Sequence, residues 1–244
     1  ADECYVFSIA DGDSLLWVQA IAAGYKFDVE VDEPDVSPLQ VQGPKSAELM
    51  ANVFGDWVHD LGFYRFKEFN HEGIPIVIAR MGYSRELCYE IFLQDHSKGD
   101  ELWECLWQAG QDLNISAGGP NIILRLEGGI LSYLSDLDRT NNPYEVGLDW
   151  MIDLDQEDDF IGKEALREIN IKGPLKKLMG AEIEADPIYE SNEDHLPVLI
   201  DGKVVGSMNA MVYSPRLDKN LSYVFLDIEH ARVGQEIIIS SPDK

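Results

Sequence analysis

Apolar and polar positions along this chain follow two periods, and the switches between them mark its elements. "CYVFSIA" (4–10) reads as a strand. "DSLLWVQAIAAGY" (13–25) sets Leu15, Val18, Ile21 and Ala22 at helical spacing, with Asp13 or Ser14 as cap and Gly24 as stop. "KFDVEVDE" (26–33) alternates and predicts another strand. "LQVQGPKSAELMANVFG" (39–55) predicts a strand, a turn at Gly43-Pro44 and a helix with Leu49, Met50, Val53 and Phe54 on its apolar face. Pro44 suits a first helical turn. "FYRFKEFN" (63–70) and "IPIVIAR" (74–80) flank the turn "HEG" as a hairpin, the second strand running on toward Gly82. "GDELWECLWQAGQDL" (99–113) predicts a helix with a Leu102, Leu106, Ala109 stripe, and Trp103 and Trp107 are assigned to the core beside it. "NIILRLEGGILSYL" (121–134) predicts a buried helix interrupted by Gly128-Gly129. Each glycine costs about 1 kcal/mol relative to Ala, which close packing or ligand approach would justify.

The texture changes near residue 171. "KKLMGAEIEA", "LPVLIDGKVVGSMNAMVYSP", "LSYVFLDI" and "GQEIIIS" are short strands parted by Gly, Pro and Asp turns, the pattern of a small β-barrel or sandwich. The order of elements predicts an α+β fold: antiparallel sheets with packed helices over 1–170, then a small C-terminal β-barrel over 171–244, with "INIKGP" (169–174) as the boundary.

Composition narrows the function. At 244 residues and 45% hydrophobic, the chain has ample material for a core. A net charge of −26 would repel a phosphate backbone and argues against nucleic-acid binding. It fits either a saline cytoplasm or simply a well-solvated acidic surface, and the run "DLDQEDD" (153–159) reads as a solvated loop. No run of about 18 apolar residues predicts a membrane span. The start lacks a basic n-region, an argument against a signal peptide, and begins almost inside a strand without Met, which predicts a processed or truncated N-terminus. Three scattered cysteines predict a reducing cytoplasm, and five histidines without ligand spacing predict no metal site. Nucleotide-loop and nucleophile-elbow motifs are absent, and no catalytic residue is nominated.

One stretch carries chemistry. In "GYSRELCYEIF" (82–92), Tyr89, Ile91 and Leu93 would share one strand face and Cys88, Glu90 and Phe92 the other. A carboxylate among apolar neighbours either stabilises a turn through its amides or holds a ligand, and these residue types allow both. A carboxylate accepts two parallel N–H bonds from an aminopyrimidine edge as it does from a guanidinium, and Tyr83 and Phe92 offer flat contact for a heteroaromatic ring.

"LQVQGPKSAELM", "FYRF", "RMGYSRELCYEI", "ILRLEGGILSY", "NNPYEVGLDWMIDLD" and "DFIGKEAL", in this order, resemble the glycine-cleavage T-protein family of folate-dependent methyl and aminomethyl transferases. "VDEPDVSPLQVQGPK", "GYS", "DLNISAGGPN" and "IKGPLKK" are most similar to its dimethylsulfoniopropionate demethylase branch. The resemblance implies a tetrahydrofolate site in which Glu90 holds the pterin's aminopyrimidine edge. Tyr83, Phe92, Phe63 and Tyr64 are implied as its aromatic border, with Arg125 and Trp150 close to the cofactor. Arg125 is equally readable as a structural pair with Glu127 or an Asp. The partners implied are tetrahydrofolate and a small methyl donor, with methyl-tetrahydrofolate as product; a homo-oligomer is compatible with the chain. The alternatives are glycine-cleavage aminomethyl transfer and a non-catalytic folate-binding relative or fragment. The family carries a further segment ahead of the matched region. It also has paired glycines where this chain has Leu87-Cys88, so that side chains are expected at the folate edge, and "YGND" where this chain has "YLSD" with Leu134-Ser135.

Overall fold

The structure, a computed structural model, describes residues 4–7, 9, 14–119, 121–191 and 195–240. The chain forms two compact units, 1–121 and 122–244. The expected boundary at 169–174 falls inside the second unit.

The first unit is built on an antiparallel sheet. Its strands are β1 (Ser37–Gln42), β2 (Phe66–His71), β3 (Ile74–Ala79) and β4 (Cys88–Leu93), in the order β1-β4-β3-β2. The turn between β2 and β3 is Glu72-Gly73, both at positive φ (50° and 94°), which matches the right-handed twist of a two-residue hairpin. Helices α2 (Ser46–Phe54) and α3 (Gly99–Ala109) cover one face of the sheet. Leu49, Met50, Phe54, Leu102 and Leu106 meet Ile74, Ile76, Ile78, Tyr89, Ile91 and Leu93 in one core. The alternation expected for "CYEIFL" holds: Tyr89, Ile91 and Leu93 point into this core.

Four expectations for this unit are corrected. Residues 4–7 and 9 form no strand and are exposed; the rest of "CYVFSIA" lies outside the described residues. "KFDVEVDE" forms no strand and pairs with no other strand, because alternation makes a strand only where another backbone edge is available. Helix α1 (Leu15–Tyr25) runs through Gly24 and stops at Lys26, in left-handed conformation (φ 57°) with its N–H on the Ala22 and Ala23 carbonyls; Ser14 precedes it without a side-chain cap, and Asp13 lies outside the described residues. Trp103 is 44% exposed and stacks on Trp107 at 6.1 Å, outside the core that takes Leu102 and Leu106.

The second unit holds a five-stranded antiparallel sheet, β5 (Lys176–Ile183), β6 (Leu196–Ile200), β7 (Lys203–Ser214), β8 (Lys219–Asp227) and β9 (Ile238–Ile239), ordered β5-β8-β7-β6-β9. These are the strands expected of the C-terminal barrel. Gly206 on β7 has a structural cause: a Cβ there would strike the Phe225 carbonyl of β8. Helix α4 (Ile122–Glu127) packs Leu126 against Leu178, Val212 and Phe225. Gly128-Gly129 ends this helix instead of interrupting it, a further correction of the pattern reading. Gly129 (φ 67°) donates to Leu126 O and Ile130 to Arg125 O, the paired bonds of a Schellman stop. Helix α5 (Lys163–Lys172) follows the acidic run, and that run is organised: Lys163 Nζ donates to the carbonyls of Gln156 (2.7 Å) and Asp158 (2.9 Å). Among the described residues no helix is long and apolar enough to cross a membrane.

Candidate functional site

β4 delivers Glu90 to the sheet face opposite the helices. In the ladder, Glu90 stands between Gln40 of β1 and Ala79 of β3, and Phe92 between Pro38 and Val77. Directly opposed residues of antiparallel strands share a face. Glu90 and Phe92 are each half-buried there. The Glu90 carboxylate makes no hydrogen bond or ion pair among the described residues. Desolvation holds its pKa above the usual carboxylate value.

The backbone around it explains its neighbours. β3 ends at Ala79 and β4 begins at Cys88, so residues 80–87 cross the sheet end, carrying Tyr83 at the margin of exposure. The turn before β2 lies at the same end, since the Tyr64 amide donates to Arg80 O and that of Arg80 to Arg65 O. That turn presents Phe63 and Tyr64, both exposed, their ring centroids 4.2 Å apart. Tyr64 takes a left-handed φ of 55° to do so. Phe63, Tyr64 and Tyr83 therefore rim one end of a sheet whose second face carries Glu90 and Phe92.

The Leu87-Cys88 pair divides between the two faces. Leu87 packs on the helical core, while Cys88 fills the space above Gly82, where a Cβ would collide with its Sγ. Gln40 Nε2 donates to Cys88 Sγ (3.0 Å) and to Gln42 Oε1 (3.0 Å), and Ser84 Oγ donates to Gln42 Oε1 (2.6 Å). Burial pushes the Cys88 thiol up to about 11.

In the second unit Arg125 is 3% exposed, and its guanidinium is committed. It grips both carboxylate oxygens of buried Asp136 and donates to Ile130 O at 3.1 Å. Asp136 also accepts from the Ser132 amide (2.7 Å), and Asn209 Nδ2 donates to the Asp136 carbonyl (2.6 Å). This is the Arg–Asp form of the structural pair. Glu127 is not its partner: it faces Ser214 and Arg216. Leu134, within this loop, holds a left-handed φ of 72°. Trp150 sits on a single 3-10 turn and is 71% exposed. It follows "NNPYE", where Asn142 Oδ1 accepts from the Tyr144 and Glu145 amides and Glu145 reaches back to the Asn142 amide, a capping box with Pro143 at its first position.

The structure thus gathers Glu90, Phe92, Tyr83, Phe63 and Tyr64 in one unit, and places Arg125 and Trp150 in the other. Pattern reading missed Gln40, Asp136 and Asn209. The polar alternation of "LQVQ" marks Gln40's face. Nothing local marks Asp136 or Asn209, whose roles depend on a loop closing over 11 residues and on a distant strand.

Residues 2–156 match the family described as the GCVT N-terminal domain, and residues 176–244 match the glycine cleavage T-protein C-terminal barrel domain. Dimethylsulfoniopropionate demethylase DmdA of Ruegeria pomeroyi is 40% identical over 243 residues, covering 100% of this chain and 66% of the relative. An aminomethyltransferase of Herpetosiphon aurantiacus is 30% identical over 228 residues, 93% of this chain and 62% of the relative. The solved glycine cleavage system aminomethyltransferase T from Bartonella henselae shares the fold, with a TM-score of 0.76 at 20% identity over 95% of this chain and 63% of that one. The chain spans a little under two thirds of the length of the curated relatives it matches. With both family descriptions satisfied in order along an α+β unit and a five-stranded antiparallel sheet, this chain belongs to the glycine-cleavage T-protein family.

Proposed function

We propose that this protein binds tetrahydrofolate on the second face of the first sheet and transfers a methyl group to it from a small sulfonium donor, with dimethylsulfoniopropionate the leading candidate. The observation that carries the reading is Glu90: a half-buried carboxylate, raised in pKa by desolvation, with no partner among the described residues. A group in that state gains most from a ligand bringing parallel N–H donors, as the aminopyrimidine edge of a pterin does. Phe92, Tyr83, Phe63 and Tyr64 would clasp the ring and its extension through flat apolar contact. Arg125, in the second unit, holds the 130–136 loop of that unit through Asp136. The donor preference is supported by the 40% identity to a demethylase of that substrate, against 30% to an aminomethyltransferase.

When bound, tetrahydrofolate supplies a nucleophilic ring nitrogen. Held by Glu90 and its aromatic border, that nitrogen would accept the methyl as the donor's carbon–sulfur bond breaks, with the sulfur leaving as a neutral thioether and the nitrogen's proton passing to solvent. No acid is needed for such a leaving group. The protein's contribution is alignment and exclusion of water, and orientation alone can supply several kcal/mol of a barrier. An aromatic surface facing the sulfonium adds about 0.5–2 kcal/mol of cation–π attraction.

The test is titration of tetrahydrofolate into the parent protein and Glu90→Gln, with methyl-tetrahydrofolate measured in the presence of dimethylsulfoniopropionate. Loss of a charge-assisted pair should weaken binding by about 1–3 kcal/mol. Unchanged affinity in the variant would remove Glu90 as anchor, and a full-length protein that forms no product would remove the demethylase reading.

A further inference from the structure

Glu90 is one of two hydrogen-bond acceptors that stand side by side on this face. Gln40 lies directly across the β1–β4 ladder from it, so both side chains leave the sheet on the same side. The Gln40 amide is held by its nitrogen, which donates to Gln42 Oε1 and Cys88 Sγ, each at 3.0 Å. Both partners fix which end is which. Gln42 Oε1 already accepts from Ser84 Oγ, and a flipped Gln40 would set oxygen against oxygen there. The Cys88 thiol stays protonated at neutral pH and directs its weak hydrogen toward Tyr89 O, leaving a sulfur lone pair for the amide. Gly82 makes room for this arrangement, since a Cβ there would meet Cys88 and stand 3.0 Å from Gln40 Nε2. Gln40 Oε1 is then the open end of an exposed side chain and accepts no hydrogen bond among the described residues.

We infer that Gln40 is a specificity-determining residue of this face, its Oε1 extending the acceptor row begun by Glu90, so that the pair selects ligand edges with consecutive N–H donors. The inference rests on the tetrahydrofolate reading of Glu90. A carboxylate bonded to an aminopyrimidine edge takes the ring N–H and one hydrogen of the 2-amino group. The second amino hydrogen needs an acceptor alongside, and Gln40 is the side chain directly opposite. Gln42 cannot serve, because its oxygen is occupied by Gln40 and Ser84.

The test compares tetrahydrofolate with its 2-desamino-2-methyl analogue, each titrated into the full-length protein and into Gln40→Met, which keeps the length of the side chain and loses its polarity. Removing one neutral hydrogen bond should weaken tetrahydrofolate about 3- to 10-fold. The analogue, which lacks the amino hydrogens, should bind parent and variant equally, so the preference for tetrahydrofolate narrows by the same factor. Equal weakening of both ligands would mark Gln40 as merely structural and overturn the inference, as would unchanged affinity for both. A parent protein that binds neither ligand would overturn the tetrahydrofolate reading and this inference with it. A parent that binds while the ratio stays fixed overturns only the inference.

Discussion

Glu90 costs the fold stability wherever it is ionised. Its folded pKa is raised, so the folded chain holds that proton more tightly than the unfolded chain. The stability tied to this proton is fully present below the ordinary value of 4.5 and is lost as pH rises through the raised folded value. Glu90→Gln should therefore melt at a higher temperature than the parent at neutral pH, with the gap closing as the pH falls toward 4.5. A variant no more heat-resistant than the parent at neutral pH would show that the carboxylate has a partner after all. Stability and binding then move in opposite directions at one position, as expected of a binding residue. Arg125 and Asp136 behave differently. Asp136→Asn leaves a buried guanidinium without its counter-charge and should cost about 3–5 kcal/mol in denaturant melts. Cys88, buried and kept as a thiol, should resist alkylation at neutral pH while exposed Cys4 reacts, which peptide mass mapping would read directly.

At the scale of elements, local chemistry was legible and pairing was not. The apolar face of α2, the Glu72-Gly73 hairpin and the alternation of "CYEIFL" each follow from neighbours within a few residues. "KFDVEVDE" carries the same period, yet it pairs with no other strand, because a strand needs a partner edge that its own residues cannot announce. Gly128-Gly129 signalled something special, but only the loop after it distinguishes a stop from an interruption. The candidate site divides the same way: Glu90 and its aromatic neighbours sit on a readable strand and turn, whereas the commitment of Arg125 depends on Asp136 across a loop. Leu134 belongs to that loop and holds a left-handed φ while 60% exposed. That conformation costs a side chain about 1–2 kcal/mol, of which glycine's extra chain entropy returns part. Leu134→Gly should therefore gain about 0.5–1 kcal/mol, measured by denaturant midpoint at constant slope. Gly206→Ala tests the opposite case. Its Cβ has only the β8 backbone to displace, and a loss of about 1–3 kcal/mol or more is expected.

Across the whole molecule, the α+β pattern and the strand-rich C-terminal region were legible because hydrophobic period and turn residues change together near residue 171. The first compact unit ends earlier, at Asn121, since α4 joins its apolar residues to β5, β7 and β8. A chain with a net charge of −26 also repels itself. Raising salt from about 0.01 M to about 0.5 M shortens the screening length several-fold and should raise the melting temperature. Lys163 shows how that repulsion is managed locally. Five carboxylates crowd residues 153–159, and the bend they occupy closes on a single buried amine. That amine works as a keystone. Lysine-directed acetylation of the native protein should spare it while labelling exposed lysines, and Lys163→Met should let the amides of this bend exchange with deuterated solvent many times faster.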